Sequence, residues 1–217
     1  EPLYQRALML REQALKPNHP GIATRLHKLA EFYRAQQRYT EAEALHQRAL
    51  SIRELAFGPQ HLHVATSLTS LALLYADQGQ YAQAESLYER ATAVVEQVLG
   101  PDHPEVATML HNQAEVYRSQ GQYDKAEPLY LRALSIWERV LEPEHLEVVA
   151  CRNNLAKLYA AQGQYGKAEP LYLRGVGVRE QRLGPDHAGI AASLTTLADI
   201  YRHQGLYDKA EPLYLRA

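Results

Sequence analysis

A 42-residue internal period constrains this chain more than any other feature. The phrase Glu1-Pro2-Leu3-Tyr4 returns as Glu43-Ala44-Leu45-His46, Glu85-Ser86-Leu87-Tyr88, Glu127-Pro128-Leu129-Tyr130, Glu169-Pro170-Leu171-Tyr172 and Glu211-Pro212-Leu213-Tyr214, each a step of 42. No insertion breaks the phase over the 217 residues. A fixed period of this length marks one supersecondary unit, copied because a single copy cannot bury its own apolar face. The phase leaves no room for a second domain. Residues 1–217 read as a single array: a partial second helix over 1–16, then five 42-residue repeats, the last truncated in its second helix.

Each repeat reads as two helices. In the second repeat, Val64, Leu68, Leu71, Ala72 and Tyr75 mark one face of a helix. Gly79 stops it, and a second helix follows through Ala84, Leu87, Tyr88, Ala91, Val95 and Val98 to Gly100-Pro101. Thr40 with Glu43, Asp124 with Glu127 and Asp208 with Glu211 have the spacing of N-cap and third-position acid. With those caps, Pro128, Pro170 and Pro212 fall about four residues into their helices, where only the first intrahelical bond is forfeited. Two weak points show. Gln37 stands where the neighbours have Gly79, Gly121, Gly163 and Gly205. Gly175 and Gly177 sit inside the second helix of repeat four and should make it the softest.

Composition excludes several functions. A net charge of −2 gives no basic footprint for nucleic acid. No apolar run is long enough to span a bilayer, and no polybasic membrane address or signal peptide is present. A lone cysteine, Cys151, forbids an internal disulfide and fits a reducing compartment, so a cytoplasmic location is expected. The chain opens on Glu1-Pro2 without methionine, as a segment of a longer protein does.

The pattern Leu68-x-x-Leu71-Ala72-x-x-Tyr75, then Ala84-x-x-x-Tyr88, Ala91 and Pro101, resembles the tetratricopeptide repeat (TPR). The longer period, the phrases Gly100-Pro101-Asp102-His103-Pro104 and Gly184-Pro185-Asp186-His187, and Asn153-Asn154-Leu155-Ala156 resemble the kinesin-light-chain class of that repeat. The resemblance spans the whole chain. It implies an all-α, right-handed α-α superhelical solenoid of tandem helix hairpins, whose first helices line a concave groove. The same class also occurs in sensor arms of signalling ATPases.

Ten histidines invite a metal or catalytic reading that the spacing does not support. His19, His61, His103, His145 and His187 are 42 apart, one per repeat, ahead of each first helix. Stacked repeats lie roughly 10 Å apart, too far for ligands of a shared zinc ion. His61-x-His63 lacks a third partner. No phosphate loop, nucleophile elbow or HExxH motif occurs. Cys151 reads as a small residue within a helix. The expectation is a non-enzymatic protein with no metal and no cofactor.

Recognition should then lie on the stripe of each first helix that varies while the core positions repeat. The candidates are His27, Lys28, Glu31 and Arg34 in repeat one; Thr69, Leu73 and Asp77 in repeat two; His111, Asn112, Glu115 and Arg118 in repeat three; Asn153, Asn154 and Lys157 in repeat four; Asp199 and Arg202 in repeat five. Amides such as Asn112, Asn153 and Asn154 both donate to and accept from a peptide backbone. Lys28, Lys157, Arg118 and Arg202 suit acidic ligand residues. The same charges also fit a self-paired, solvated face through Glu31–Arg34, Glu115–Arg118 and Asp199–Arg202. The lysine-asparagine carboxylate clamp of some TPR proteins is not matched.

Arg152 and Gln113 occupy positions that are leucine in the other repeats. Either is read as a satisfied polar contact, with the Arg152 head reaching water, or as a feature of the groove. Leu131, Leu173 and Leu215 recur at 42 on the second helices with Trp137 nearby, as an apolar strip for self-association or as residues partly immersed between helices. The expected function is a scaffold that holds a peptide segment of a partner protein in the first-helix groove. The alternative is a structural or sensor arm that self-associates or docks a folded partner. Nucleic acid and membrane are not expected partners.

Overall fold

The computed structural model contains eleven helices and no strand among the described residues: α1 (Pro2–Ala14), α2 (Pro20–Ala35), α3 (Tyr39–Phe57), α4 (Leu62–Asp77), α5 (Tyr81–Leu99), α6 (Pro104–Ser119), α7 (Tyr123–Val140), α8 (Leu146–Ala161), α9 (Tyr165–Leu183), α10 (Ala188–His203) and α11 (Tyr207–Arg216). The structure describes residues 1–184 and 187–217, the side chains at 182, 183, 188 and 189 excepted. Pro185 and Asp186 of the second Gly-Pro-Asp-His phrase lie outside them. Two compact units divide the chain, Glu1–Met109 and Leu110–Ala217, with the boundary inside α6.

In the first unit, α1 packs on α2, α2 on α3, α3 on α4 and α4 on α5. Ile22, Ala23 and Leu26 of α2 meet Ala49 and Ile52 of α3, with Leu8, Leu15 and Leu45 packed against them. Their helical spacing places them on one face, and burying each large side chain contributes about 1.5–3 kcal/mol. Ala42 and Ala84, fully buried, sit in the first turns of α3 and α5. In the second unit, α7 packs on α8, α8 on α9, α9 on α10 and α10 on α11. Tyr130, Ala133, Ile136 and Trp137 of α7 are buried, as are Val148, Cys151, Leu155 and Leu158 of α8. Val176 of α9 meets Ile190 and Leu194 of α10, with Leu213 of α11 against them.

The hairpin turns show why glycine recurs. Gly79 adopts φ 72°. Its amide donates to the Ala76 carbonyl and the Gln80 amide donates to that of Tyr75 at 2.8 Å, which satisfies the last turn of α4. Gln37 performs the same turn at φ 61°, the one non-glycine with positive φ among the described residues.

The histidines that precede the first helices are N-caps. Nδ1 of His19, His61 and His103 accepts the amide hydrogen of Gly21, His63 and Glu105 at 3.0, 3.1 and 3.2 Å. His145 caps α8 by position alone, its ring paired with Glu147.

The expected capping boxes do not form. α3, α7 and α11 begin one residue before Thr40, Asp124 and Asp208, and their N-caps are Arg38, Gln122 and Leu206 without side-chain capping bonds. The tight turn after each glycine sets the helix start earlier than the acid and hydroxyl residues alone indicate. Pro128, Pro170 and Pro212 therefore lie inside their helices. The first bond of α7, from Ala126 N–H to the Gln122 carbonyl, is kept. A bond two residues further on, to Asp124, is the one proline omits. α9 runs unbroken through Gly175 and Gly177.

Two further expectations change. Trp137 is 3% exposed and belongs to the core, whereas Leu131, Leu173 and Leu215 are 45%, 46% and 82% exposed. Arg152 does not reach water. It is fully buried, and its guanidinium donates to Glu138 at 2.6 Å and approaches the Pro143 carbonyl at 3.5 Å. Gln113 is buried as well.

Candidate functional site

In the first unit, α2 carries His27, Lys28, Glu31 and Arg34, and α4 carries Thr69, Leu73 and Asp77. Arg34 joins the two helices: its Nε donates to Glu31 at 3.0 Å and its Nη1 to Asp77 at 2.7 Å. Ser70 Oγ lies 3.4 Å from His27 Nδ1. Both cross-helix contacts link residue i to i+43, so adjacent first helices meet one residue beyond the period. Lys28 is exposed and Leu73 half-buried. Thr69 turns its hydroxyl to the Ala65 carbonyl at 2.9 Å and the Met109 sulfur at 3.0 Å.

These side chains border two hollows. One of about 580 Å³ is floored by Leu62, Ala65, Thr69, Val95, Leu99 and Met109 and edged by His27, Ser70, His103 and Glu105. The other, about 430 Å³, is lined by Tyr4, His27, Lys28, Glu31 and Phe32. His27 is the wall between them. Behind it lies His46 of α3, fully buried, with Nε2 3.2 Å from Glu31. One ligating atom from each of His27, Glu31 and His46 lies within 4.8 Å of the other two. Hydrogen bonding to His46, with Arg34 adding to it against desolvation, holds the Glu31 carboxyl down at about 2. Burial, then the neighbouring His46, pushes the His27 imidazole below the usual histidine value, so it is neutral near pH 7.

In the second unit, α6 carries His111, Asn112, Glu115 and Arg118; α8 carries Asn153, Asn154 and Lys157; α10 carries Asp199 and Arg202. Arg118 donates to Glu115 at 2.8 Å, and the Tyr130 phenol donates to the same carboxylate. His111 stands 3.3 Å from the Asn154 amide, again across i and i+43, and its ring packs on Tyr130 and Trp137. Burial lowers its basicity too. A Cβ at Gly175 would come within 3.1 Å of Asn153 Oδ1, so that amide is packed on α9. Lys157 is exposed. Arg202 lies 3.5 Å from Asp199, which also accepts from Tyr214 at 2.6 Å. The Cys151 thiol is pushed up to about 12, chiefly by burial, which makes it a poor nucleophile.

The structure thus brings together the charged residues singled out by sequence, but pairs most of them with each other. The lysines at 28 and 157 are the stripe cations with no partner among the described residues. Sequence reasoning missed His46, Ser70 and Met109. The trace of His46 was visible: it stands where the period places tyrosine.

The sequence matches the tetratricopeptide repeat family over residues 23–97, 64–130, 105–181 and 153–217. The chain belongs to the tetratricopeptide repeat family. Among solved structures, this TPR chain is similar to a Podosopora anserina protein assigned as a kinesin light chain with nearly identical TPR-like repeats, at 28% identity and a TM-score of 0.81 over 91% of this chain and 94% of that one. It is also similar to BtubC (BKLC) from P. vanneervenii, at 22% identity and a TM-score of 0.79 over 91% and 78%. The apo form of RapI shares the fold at 14% identity and a TM-score of 0.70 over 98% and 87%. Among curated proteins none matches the sequence. TPR proteins generally mediate protein–protein interaction, and their scaffold is typically non-catalytic. No described helix of this TPR chain is long and apolar enough to cross a membrane.

Proposed function

We propose that this chain is a non-catalytic scaffold that holds a peptide segment of a partner protein on its first-helix face. The observation that carries the reading is the 580 Å³ hollow of the first unit. Its volume suits one or two peptide side chains. Its floor is aliphatic and thioether, and its edge offers His27, Ser70, His103 and Glu105 for backbone contacts. An apolar ligand side chain flanked by polar backbone fits this composition. Lys28, beside the neighbouring hollow, favours an acidic residue in that segment. In the second unit, Lys157 supports the same preference. The engagement of Asn154 with His111 means that the amides there act after, or through, an existing pair.

Selection from a random peptide display library tests this reading. Selected peptides should share an apolar anchor near an acidic residue. Thr69→Lys, which fills the floor of the hollow, should weaken them about tenfold or more while helicity is retained, a loss of roughly 1.4 kcal/mol. Peptides that bind Thr69→Lys as well as the parent chain would refute the assignment.

The exposed Leu131, Leu173 and Leu215 favour a second reading, self-association through the second helices of the second unit. It requires a sedimentation-derived mass that rises with concentration and falls when Leu131 and Leu173 become serine.

A further inference from the structure

We infer that His27, Glu31 and His46 form a binding site for one divalent transition-metal ion of the zinc class, set into the wall of the first unit's groove. The inference stands on geometry and does not depend on what peptide, if any, the groove holds.

His27 and Glu31 are one helical turn apart on α2, the i, i+4 spacing that lets two side chains converge on one ion. His46 arrives from α3 on the opposite side. Their ligating atoms are within 4.8 Å of one another, and His46 Nε2 is already 3.2 Å from Glu31 Oε1. Bonds of about 2.0–2.2 Å in tetrahedral geometry place ligand atoms about 3.4 Å apart. Small rotations of His27 and Glu31, both half-buried and facing the hollow, close the rest.

Three observations set the cluster apart from an ordinary ion pair. First, Nε2 of the buried His46 faces the Glu31 carboxylate at 3.2 Å while its Nδ1, also buried, makes no hydrogen bond. A buried ring nitrogen left unpartnered is costly. Second, Ser70 Oγ sits 3.4 Å from His27 Nδ1, which orients that ring and leaves Nε2 to ligate, as an outer partner does at metal-bound histidines. Third, the repeats supply their own comparison. The position of His46 is tyrosine in every later repeat, at Tyr88, Tyr130, Tyr172 and Tyr214. Repeat three keeps the other two residues as His111 and Glu115, and there Tyr130 simply donates to the carboxylate. Repeat one exchanges that phenol for an imidazole.

Two nitrogens and one carboxylate oxygen favour zinc-like ions over magnesium or calcium, which prefer all-oxygen shells. Arg34 occupies the other oxygen of Glu31 and is itself balanced by Asp77, so its charge is not loose beside the ion. His46 lies behind and His27 and Glu31 line the hollow with Tyr4, Lys28 and Phe32. The fourth coordination position therefore opens to that hollow, for water or a ligand side chain.

The test uses the untagged chain, zinc chloride in equilibrium dialysis, and cobalt(II) as a spectroscopic substitute. The parent chain should bind one zinc per chain at micromolar concentration, melt at higher temperature with zinc, and give the intense visible bands of tetrahedral cobalt. His46→Tyr installs the residue the other repeats use. It should fold as the parent does, lose roughly 100-fold or more in zinc affinity and show no such bands. Glu31→Gln, of the same shape, should behave likewise and serves if the first variant folds poorly. No stoichiometric zinc on the parent chain overturns the site. So does zinc that stays equally tight in both variants, which would place it on histidines such as His61 and His63.

Discussion

The phenol of Tyr75, at the end of α4, donates a 2.8 Å hydrogen bond to the carboxylate of Glu43, near the start of α3. The same bond recurs 32 residues apart from Glu1 to Tyr33, Glu127 to Tyr159 and Glu169 to Tyr201. In these four repeats the acid that opens the Glu-x-Leu phrase is thus a buckle between the second helix of one repeat and the first helix of the next. It is not the acid of a capping box. Tyr75→Phe keeps the ring packed and removes the donor, so it should lower unfolding free energy by about 1 kcal/mol. Glu43→Gln in the Tyr75→Phe background should add little more. Denaturant titration of the four chains in a double-mutant cycle measures the coupling, and fully additive losses would exclude the buckle.

Gln37 is held at φ 61° where the other four turns have glycine. A side chain in this region costs roughly 1–2 kcal/mol, offset in part by the greater freedom glycine has when unfolded. Gln37→Gly should therefore stabilise the first unit by about 0.5–1 kcal/mol, seen as a higher denaturation midpoint with an unchanged slope.

Gly175 and Gly177 of α9 should respond differently to alanine. Nothing lies within 4 Å of a Cβ at Gly177, so Gly177→Ala should gain close to the helix-propensity difference of about 1 kcal/mol. A Cβ at Gly175 meets Asn153 Oδ1 at 3.1 Å and Arg179 Nη1 at 3.5 Å. Gly175→Ala should gain less or nothing, and the Asn153 side-chain amide resonances should shift in that variant alone.

Acid should weaken the fold in two separable ranges. His27 and His111 titrate below the ordinary histidine value of about 6.5, burial being the main cause in each. The unfolded chain then binds the proton more readily than the folded one, so stability rises with pH up to about 6.5 and levels off above it. Glu31, held at about 2, contributes stability that is complete above the usual carboxylate value of about 4.3 and fades as pH falls towards 2. Urea midpoints measured across this span should show both slopes. His111→Asn, which installs the residue of repeat four, should flatten the upper one only.

The fold was legible because its information is repeated. Five copies of one spacing average out local ambiguity, so the helices and glycine turns are readable even where single residues mislead. The helix starts were misread by a residue or two because the turn, not a capping side chain, sets them at Arg38, Gln122 and Leu206. The site was half legible. Periodicity gives which residues share a helix face, so His27, Glu31 and Arg34 could be grouped. It does not show that neighbouring first helices engage at a step of 43, nor that a second helix delivers His46 behind them. Those contacts depend on how helices cross, which one chain's spacing does not encode.

Arg152 supplies the sharpest asymmetry. It stands where repeats one, two, three and five have leucine, is 1% exposed, and holds Glu138, which is partly exposed and has Arg174 3.7 Å away. Taking a guanidinium out of water offsets most of what the ion pair contributes. Arg152→Leu returns the repeat's own residue and releases Glu138 to water and Arg174. It should be neutral or stabilising by about 1 kcal/mol or more. Glu138→Ala does the reverse and leaves a buried cation beside the Pro143 carbonyl. That change should cost about 3 kcal/mol or more. Equal losses from the two variants in thermal unfolding would mean that the pair itself, rather than the buried charge, governs the stability of α7 on α8.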